Sequence, residues 1–209
     1  MFRKIFRPKK YDYKIYWTQE GKRYFTNYSK LDESTIRRYD AQANLIIKFL
    51  SDLEFSSVCE AGCGFGRITK KIINKFNIPK DRYLAFDLSQ DQINNAHELV
   101  GDRAQFTVST INNLNTNQKY DLVLASEVLM HIPHEHIESN ISKLVDISSK
   151  YVVNIDWKET DSRKSSFVNF AHDYKKLYED LGLSVKILEL DNFTNFKNNI
   201  NQTMYLAQK

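Results

Sequence analysis

The stretch VCEAGCGFGRITKKI, residues 58–72, holds three of the chain's six glycines. Gly62, Gly64 and Gly66 stand at alternate positions, after a short apolar run and before a segment with helical spacing. Glycine loses much backbone entropy on folding and has no side chain to pack, so this cluster predicts a tight turn or a close approach to the backbone. The pattern favours a strand, a glycine turn, and a helix whose free N–H groups face a ligand.

Strand-like and helix-like segments alternate on both sides of this turn. Parallel strands need crossovers of a dozen or more residues, whereas two final strands with no helix between them pair antiparallel. The chain therefore predicts an α/β fold with a doubly wound, seven-stranded, mostly parallel, Rossmann-like sheet and an antiparallel C-terminal strand pair. The predicted strands are 56–61, 82–88, 105–110, 120–128, 150–157, 184–190 and 203–209, and the predicted helices are 31–53, 67–76, 89–100, 134–147 and 167–181.

Composition divides the chain into two parts. Residues 1–30 carry nine lysines and arginines against Asp12 and Glu20, interleaved with aromatic side chains, and form a basic arm ahead of a domain over 31–209. No apolar run approaches the roughly 20 residues of a membrane span, and the N-terminus lacks the apolar core of a signal peptide. Two cysteines are too few for a disulfide framework or a zinc site. We expect a cytoplasmic protein without a metal.

An acidic residue follows the glycines at the distance of a nucleotide-binding site. Asp87 ends the second predicted strand, 25 residues after Gly62, where a carboxylate can accept hydrogen bonds from ribose hydroxyls. The dinucleotide fingerprint requires a third glycine three places after Gly64, but Arg67 stands there. The site is therefore predicted to bind a ligand that contains a nucleoside but is not a dinucleotide.

The sequence Glu60-Ala61-Gly62-Cys63-Gly64-Phe65-Gly66 resembles motif I of the class I S-adenosylmethionine-dependent methyltransferases. FDLS at 86–89 is similar to that family's ribose-binding strand end, and YDLVLASEVLMHIP at 120–133 is similar to its motif IV. The resemblance covers about residues 31–209 and implies S-adenosylmethionine as the cofactor. Many members carry an acid near the adenine amino group after the third strand, but this chain has Ser109-Thr110-Ile111 there. The cofactor-binding residues that the resemblance implies are Glu60, Gly62, Cys63, Gly64, Gly66, Asp87, Leu88, Thr110, Ile111, Glu127 and Val128.

Methyl transfer from a sulfonium is an in-line displacement, so the protein mainly aligns donor and acceptor and needs no fixed catalytic motif. A base is useful when the acceptor is a hydroxyl. His131, after the fourth strand, and His172, after the fifth, are the candidate catalytic residues. The candidate substrate-binding residues are Tyr16, Trp17, Tyr28, Asp173 and Tyr174.

The basic arm leaves three interpretations open. Its aromatic side chains suit a lid that excludes water from the cofactor, stacking on RNA bases, or plain packing on the sheet. The favoured function is methyl transfer to a small acceptor, such as a sugar or another metabolite, with anionic compounds among the candidates, because 209 residues leave no room for a separate RNA-binding domain. The alternatives are an RNA or protein methyltransferase guided by residues 1–30, and a non-catalytic subunit that binds a partner.

Overall fold

The computed structural model describes residues 11–157, 168–190 and 202–209. The helices are α1 (Tyr13–Tyr28), α2 (Glu33–Leu50), α3 (Arg67–Phe76), α4 (Gln90–Val100), α5 (His134–Ile147) and α6 (Tyr174–Glu179). The strands are β1 (Val58–Ala61), β2 (Tyr83–Asp87), β3 (Gln105–Val108), β4 (Tyr120–Ser126), β5 (Ser148–Trp157), β6 (Ser184–Glu189) and β7 (Gln202–Gln208).

The strands form one seven-stranded sheet in the order β3-β2-β1-β4-β5-β7-β6. The first five strands pair in parallel, and β7 runs antiparallel to both β5 and β6. The predicted fold class is therefore confirmed. Ala61 pairs with Phe86 on one side and Ala125 on the other, so the carboxyl ends of β1, β2 and β4 meet at one edge. Ligands of such sheets bind at this edge, beside the strand where the winding reverses.

Side-chain caps explain where several helices begin. The Asp32 carboxylate accepts a hydrogen bond from the Thr35 N–H at the start of α2. The predicted cap of α4 is confirmed, because Ser89 Oγ accepts from the Gln92 N–H. These caps satisfy backbone donors that a helix leaves free in its first turn.

The two faces of the sheet carry separate apolar cores. Helices α2, α3 and α4 pack on one face, where Ile46, Ile72 and Ile93 are buried. Helices α5 and α6 pack on the other face, where Ile141 and Tyr178 are buried. Covering both faces is what an almost continuously apolar parallel strand such as β4 requires.

The predicted start of one helix was wrong. The helix predicted over 167–181 is α6, which begins only at Tyr174; residue 167 lies outside the described residues. Residues 168–173 instead bond to the turn after β4, as in the Phe170 N–H that donates to the Met130 carbonyl over 2.7 Å. The sequence analysis makes no prediction of secondary structure in the basic arm; α1 begins there at Tyr13, and Asp12 caps it by accepting from the Lys14 and Ile15 amides.

Candidate active site

A cavity of about 310 Å³ lies at the carboxyl ends of β1, β2 and β4, between the sheet edge and α1. It therefore stands at the position where ligands bind in doubly wound sheets. Its lining residues are Tyr13, Trp17, Gly21, Tyr24, Glu60, Gly62, Cys63, Gly64, Phe65, Arg67, Ile68, Phe86, Asp87, Leu88, Gln92, Ser109, Thr110, Ile111, Ser126, Glu127, Val128, Met130, His131, Ile132 and Asn140.

The glycine turn forms one wall of the cavity. Gly62 has φ of +64°, and a Cβ there would lie 2.4 Å from Val128 Cγ2, so the turn and the loop after β4 touch through its backbone. Gly64 has φ of +55°, and a Cβ there would meet only Gln92 Oε1, at 3.8 Å, which leaves room for a ligand against the backbone. Conformation and contact therefore both require glycine at position 62, and conformation requires it at 64.

Asp87 joins the glycine turn to α4. One carboxylate oxygen accepts from the Gly64 N–H over 3.0 Å, and the other accepts from the Ser89 N–H over 2.9 Å. Burial raises the pKa of Asp87, and these two amides oppose that rise. Each oxygen keeps a further lone pair, so the carboxylate is positioned to accept two ligand hydroxyls.

Glu60 lies at the floor of the cavity with 3% of its surface exposed. The Thr69 and Tyr83 hydroxyls each donate to its Oε2 over 2.6 Å. Burial raises the pKa of Glu60 to about 7, against the lowering effect of these hydrogen bonds. The bonds fix the side chain below the glycine turn.

Glu127, at the end of β4, has the left-handed φ of +59°. A non-glycine residue in this conformation is uncommon and is typical of functional sites that their surroundings hold in place. Its N–H donates to the Ile155 carbonyl over 2.8 Å, and its carboxylate accepts from Gln202 Nε2. Gln202 in turn accepts from Gln42 Nε2 over 2.5 Å, and Gln42 accepts from Arg67 over 3.0 Å. This chain of amides links Glu127 to α2 and α3.

Helix α1 forms the wall opposite the sheet. Tyr13, Trp17, Gly21 and Tyr24 all line the cavity, and their spacing places them on one face of the helix. A Cβ at Gly21 would lie 2.2 Å from Ser89 Oγ, and the Gly21 carbonyl accepts from Gln92 Nε2 over 2.5 Å. The backbone of α1 at Gly21 therefore lies directly against the Ser89 and Gln92 side chains at the start of α4.

His131 lines the cavity beneath Trp17, with ring centroids 4.3 Å apart. Its Nδ1 is 2.9 Å from the Val168 carbonyl, which can only accept, so Nδ1 carries the proton. Burial lowers the pKa of His131 to about 4, against the opposing effects of Val168 and Asn169. The neutral ring therefore carries a lone pair on Nε2.

His172 does not line the cavity. It is 3% exposed, and its Nε2 lies 3.0 Å from the Ile132 carbonyl, so it connects the segment before α6 to the loop after β4. Burial, with His134 as a further cause, lowers the pKa of His172 to about 4. Its neighbour Asp173 caps α6, and Tyr174 is buried against Tyr205. These contacts hold the segment before α6 in place, and the roles predicted for the three residues stay predictions.

The family model described as "Methyltransferase domain" matches residues 58–167. The chain belongs to this methyltransferase family. It is 25% identical over 145 residues to malonyl-[acyl-carrier protein] O-methyltransferase 1 of Ilyobacter polytropus, which covers 68% of this chain and 51% of the relative. It is 30% identical over 99 residues to O-methyltransferase 2 of the same organism, with coverage of 44% and 38%. The chain thus spans about half, or less, of the length of these curated relatives.

Solved structures share the methyltransferase fold. Magnesium protoporphyrin IX methyltransferase of Synechocystis PCC 6803, with S-adenosylmethionine bound, has a TM-score of 0.74 at 17% identity, covering 97% of this chain and 100% of that one. The N-methyltransferase NodS of Bradyrhizobium japonicum has a TM-score of 0.69 at 16% identity, with coverage of 86% and 99%. Together with the family match, they confirm the predicted class I methyltransferase, an enzyme family whose cofactor is S-adenosylmethionine.

The lining residues of this methyltransferase fit that cofactor. Three polar side-chain atoms on the lining are buried without a hydrogen-bond partner in the described structure: Gln92 Oε1, Ser126 Oγ and Asn140 Oδ1. Buried polar atoms are almost always paired, so this concentration indicates a polar ligand. The open backbone of Gly64 and the remaining lone pairs of Asp87 complete a set suited to an amino acid and a ribose.

The structure brings together most of the predicted site residues of the methyltransferase. Trp17 and His131 line the cavity together with Glu60, Gly62, Cys63, Gly64, Asp87, Leu88, Thr110, Ile111, Glu127 and Val128. Gly66 instead precedes α3 and packs against Val100, and Tyr16 and Tyr28 pack on Trp17 and Phe65. Gly66, Tyr16, Tyr28, His172, Asp173 and Tyr174 lie outside the lining.

Sequence reasoning missed several lining residues. The spacing of Tyr13, Trp17, Gly21 and Tyr24 was a usable signal, since it marks one helical face. The sequence carries no comparable signal for Asn140, because a polar residue in an amphipathic helix is normally predicted to lie on the exposed face. Within the described residues, no helix is long and apolar enough to cross a membrane, and no group of His, Cys, Asp and Glu could hold a metal ion.

Proposed function

We propose that this methyltransferase transfers the methyl group of S-adenosylmethionine to an oxygen atom of a small acceptor. The observation that carries the proposal is a neutral His131 on the cavity wall, with Nδ1 committed to the Val168 carbonyl. A hydroxyl acceptor must lose a proton as it is methylated, and Nε2 of this ring is a base held in one orientation.

The bound cofactor would supply an activated methyl group on a sulfonium. The glycine turn would hold its amino acid end, and Asp87 its ribose hydroxyls. Glu60 and Glu127 would lie below the amino acid end of the cofactor. These residues orient the donor, and orientation supplies much of the rate in an in-line displacement.

We propose that residues 1–30, ahead of the domain over 31–209, act as a lid. The support is that α1 presents Tyr13 and Trp17 to the cavity, so it would exclude water around the reacting atoms. The same observation weighs against RNA binding through Tyr13 and Trp17, whose rings are turned toward the cavity, whereas Tyr24 and Phe25 of the same helix are exposed. Residues 1–10 lie outside the described structure.

The charges on the described lining favour an uncharged acceptor group. Glu60, Asp87 and Glu127 are acids, and Arg67 is the one cation among the lining residues. Arg67 already donates to the Tyr39 carbonyl and to Gln42. A neutral hydroxyl meets less repulsion here than an anionic acceptor would. The relatives named for malonyl-[acyl-carrier protein] make a malonyl thioester the second acceptor to test.

The first experiment is calorimetric titration with S-adenosylhomocysteine, with NAD as the control ligand. We expect micromolar binding of the first alone. Turnover is then measured as methyl transfer from labelled S-adenosylmethionine to panels of sugars, phenols and malonyl thioesters, followed by RNA and protein. Methylation of a hydroxyl compound is the expected result. Transfer only to nitrogen or to RNA would overturn the oxygen assignment, and no cofactor binding would overturn the whole proposal.

A further inference from the structure

Asn140 is a buried side chain on α5 whose amide is only half used. It is 1% exposed, and its Nδ2 donates to the His136 carbonyl over 2.8 Å. A carbonyl can only accept, so this bond fixes which end of the amide is the nitrogen. The other end, Oδ1, lines the cavity and has no hydrogen-bond partner among the described residues. Leaving a buried acceptor unpaired is costly, so Oδ1 requires a donor from a ligand.

The position of Asn140 shows which part of the cavity it serves. Asn112 Nδ2 donates to Ser139 Oγ over 3.1 Å, which joins the segment after β3 to the turn of α5 that carries Asn140. Ile111, in that segment, also lines the cavity. Tyr13 of α1 covers Asn140, because a side-chain hydrogen bond from Asn140 opposes the burial-driven rise in the pKa of Tyr13. Along the same helix, Tyr24 packs on Phe65 of the glycine turn, about three helical turns away, so Asn140 lies at the end of the cavity away from that turn.

The segment after β3 offers no carboxylate at this end. Ser109, Thr110 and Ile111 occupy the positions where an acid was expected. The Thr110 hydroxyl accepts from the Asn113 N–H over 3.2 Å, and Ser109 Oγ donates to the Thr110 carbonyl over 2.9 Å. Both hydroxyls are therefore engaged in local turns.

We propose that Asn140 Oδ1 accepts a hydrogen bond from the exocyclic amine of adenine and so selects an adenine nucleoside. The inference rests on the proposed function, because it assumes that the nucleoside of S-adenosylmethionine occupies this end. An acceptor that cannot donate rejects a base bearing a carbonyl oxygen in place of the amine. The residue that recognises the adenine amine would then lie on α5 and not in the segment after β3, where many members of the family carry an acid.

The test compares two ligands by calorimetry: S-adenosylhomocysteine and S-inosylhomocysteine, in which a carbonyl oxygen replaces the amine. We expect the wild-type protein to prefer the adenosyl compound by about 100-fold, since a mismatched ligand leaves buried polar groups unpaired. Asn140→Leu should weaken adenosyl binding about 10-fold and leave inosyl binding nearly unchanged or stronger. Asn140→Ala serves as a second variant if leucine is poorly accommodated.

Two further variants make the outcome decisive. Thr110→Ala tests the competing assignment, and Asn94→Leu makes the same polar-to-apolar change at an exposed position of α4. The proposal is overturned if both Asn140 variants keep the full preference for the adenosyl ligand, or if Thr110→Ala alone removes it. Failure of the wild-type protein to bind either ligand would instead contradict the proposed function.

Discussion

The Asp87 carboxylate illustrates how one residue can serve the fold and the ligand together. Two of its lone pairs accept from the Gly64 and Ser89 amides, which fixes the carboxylate at the sheet edge. Asp87→Asn keeps the size but puts an N–H group against one of these amides. We expect S-adenosylhomocysteine to bind at least 10-fold more weakly, because charge-assisted hydrogen bonds are among the stronger ones. Calorimetry measures the affinity, and a cooperative thermal transition shows that the fold is kept. Unchanged affinity would refute the ribose assignment.

If His131 is the base, as proposed, the reaction has a distinctive pH dependence. Its pKa is lowered to about 4 by burial, so the ring is neutral at pH 6 and above, and protonation removes the Nε2 lone pair only as the pH falls toward 4. Turnover of a hydroxyl acceptor should therefore not decline with a midpoint near 6.5, the ordinary histidine value. We expect His131→Gln to lower kcat about 100-fold with S-adenosylhomocysteine affinity unchanged.

His97 supplies the matched control for that variant. It is exposed on α4, and His97→Gln should leave turnover as in the wild-type protein. An equal fall in kcat and in cofactor affinity for His131→Gln would show that the residue shapes the loop rather than accepting a proton. The role predicted for His172 stays a prediction, and the same assay on His172→Gln tests it.

At the scale of secondary-structure elements, the contact between α1 and α4 sets how closely α1, the proposed lid, can lie over the cavity. Alanine normally stabilises a helix interior by roughly 1 kcal/mol relative to glycine. At Gly21, however, the added Cβ meets Ser89 Oγ at 2.2 Å and Ser89 Cβ at 2.5 Å. Gly21→Ala should therefore displace α1 and weaken S-adenosylhomocysteine binding about 10-fold or more, measured by calorimetry.

A second substitution makes the lid prediction specific. Ser89→Gly removes both atoms that the new Cβ meets and costs only a few tenths of a kcal/mol as a helix cap. The double variant should recover most of the affinity that Gly21→Ala loses. If Gly21→Ala alone binds as tightly as the wild-type protein, then α1 does not close the cavity.

Elements with strong local signals could be predicted from the sequence, and elements shaped by distant contacts could not. The capping residue Ser89 and the change from a strand-like to a helix-like segment after Asp87 are local features. They predicted α4 and β2 correctly. The start of α6 depends on His172 and Phe170, which bond to carbonyls about 40 residues away. Such long-range bonds override helical spacing and leave no pattern in a single sequence. For the same reason the sequence did not predict that Asn140 lines the cavity, because its surroundings come from α1 and the segment after β3, which are distant in sequence.

At the scale of the whole molecule, buried titratable groups make stability depend on pH in two opposing ways. Burial raises the pKa of Asp156 to about 8 and of Glu60 to about 7, so their stabilising contribution is lost as the pH rises from about 4 toward 8. Burial lowers the pKa of His131 and His172 to about 4, so their contribution is complete above about 6.5 and is lost as the pH falls toward 4. Between about 4.5 and 6.5 the two effects largely cancel.

Above pH 6.5, of these four groups only the carboxyl groups of Asp156 and Glu60 still make stability depend on pH. There the native state binds more protons than the unfolded chain. The free energy of unfolding should then fall by on the order of 1 kcal/mol per pH unit between about 6.5 and 8. Asp156 is fully buried, and its carboxyl accepts from the Met130 amide and from Asn154. Asp156→Asn should reduce the fall, because the amide does not ionise, whereas Asp146→Asn at an exposed position of α5 should not. Urea unfolding at pH 6 and pH 8 measures the difference. A wild-type protein that is equally stable at both values would contradict the raised pKa of both Asp156 and Glu60.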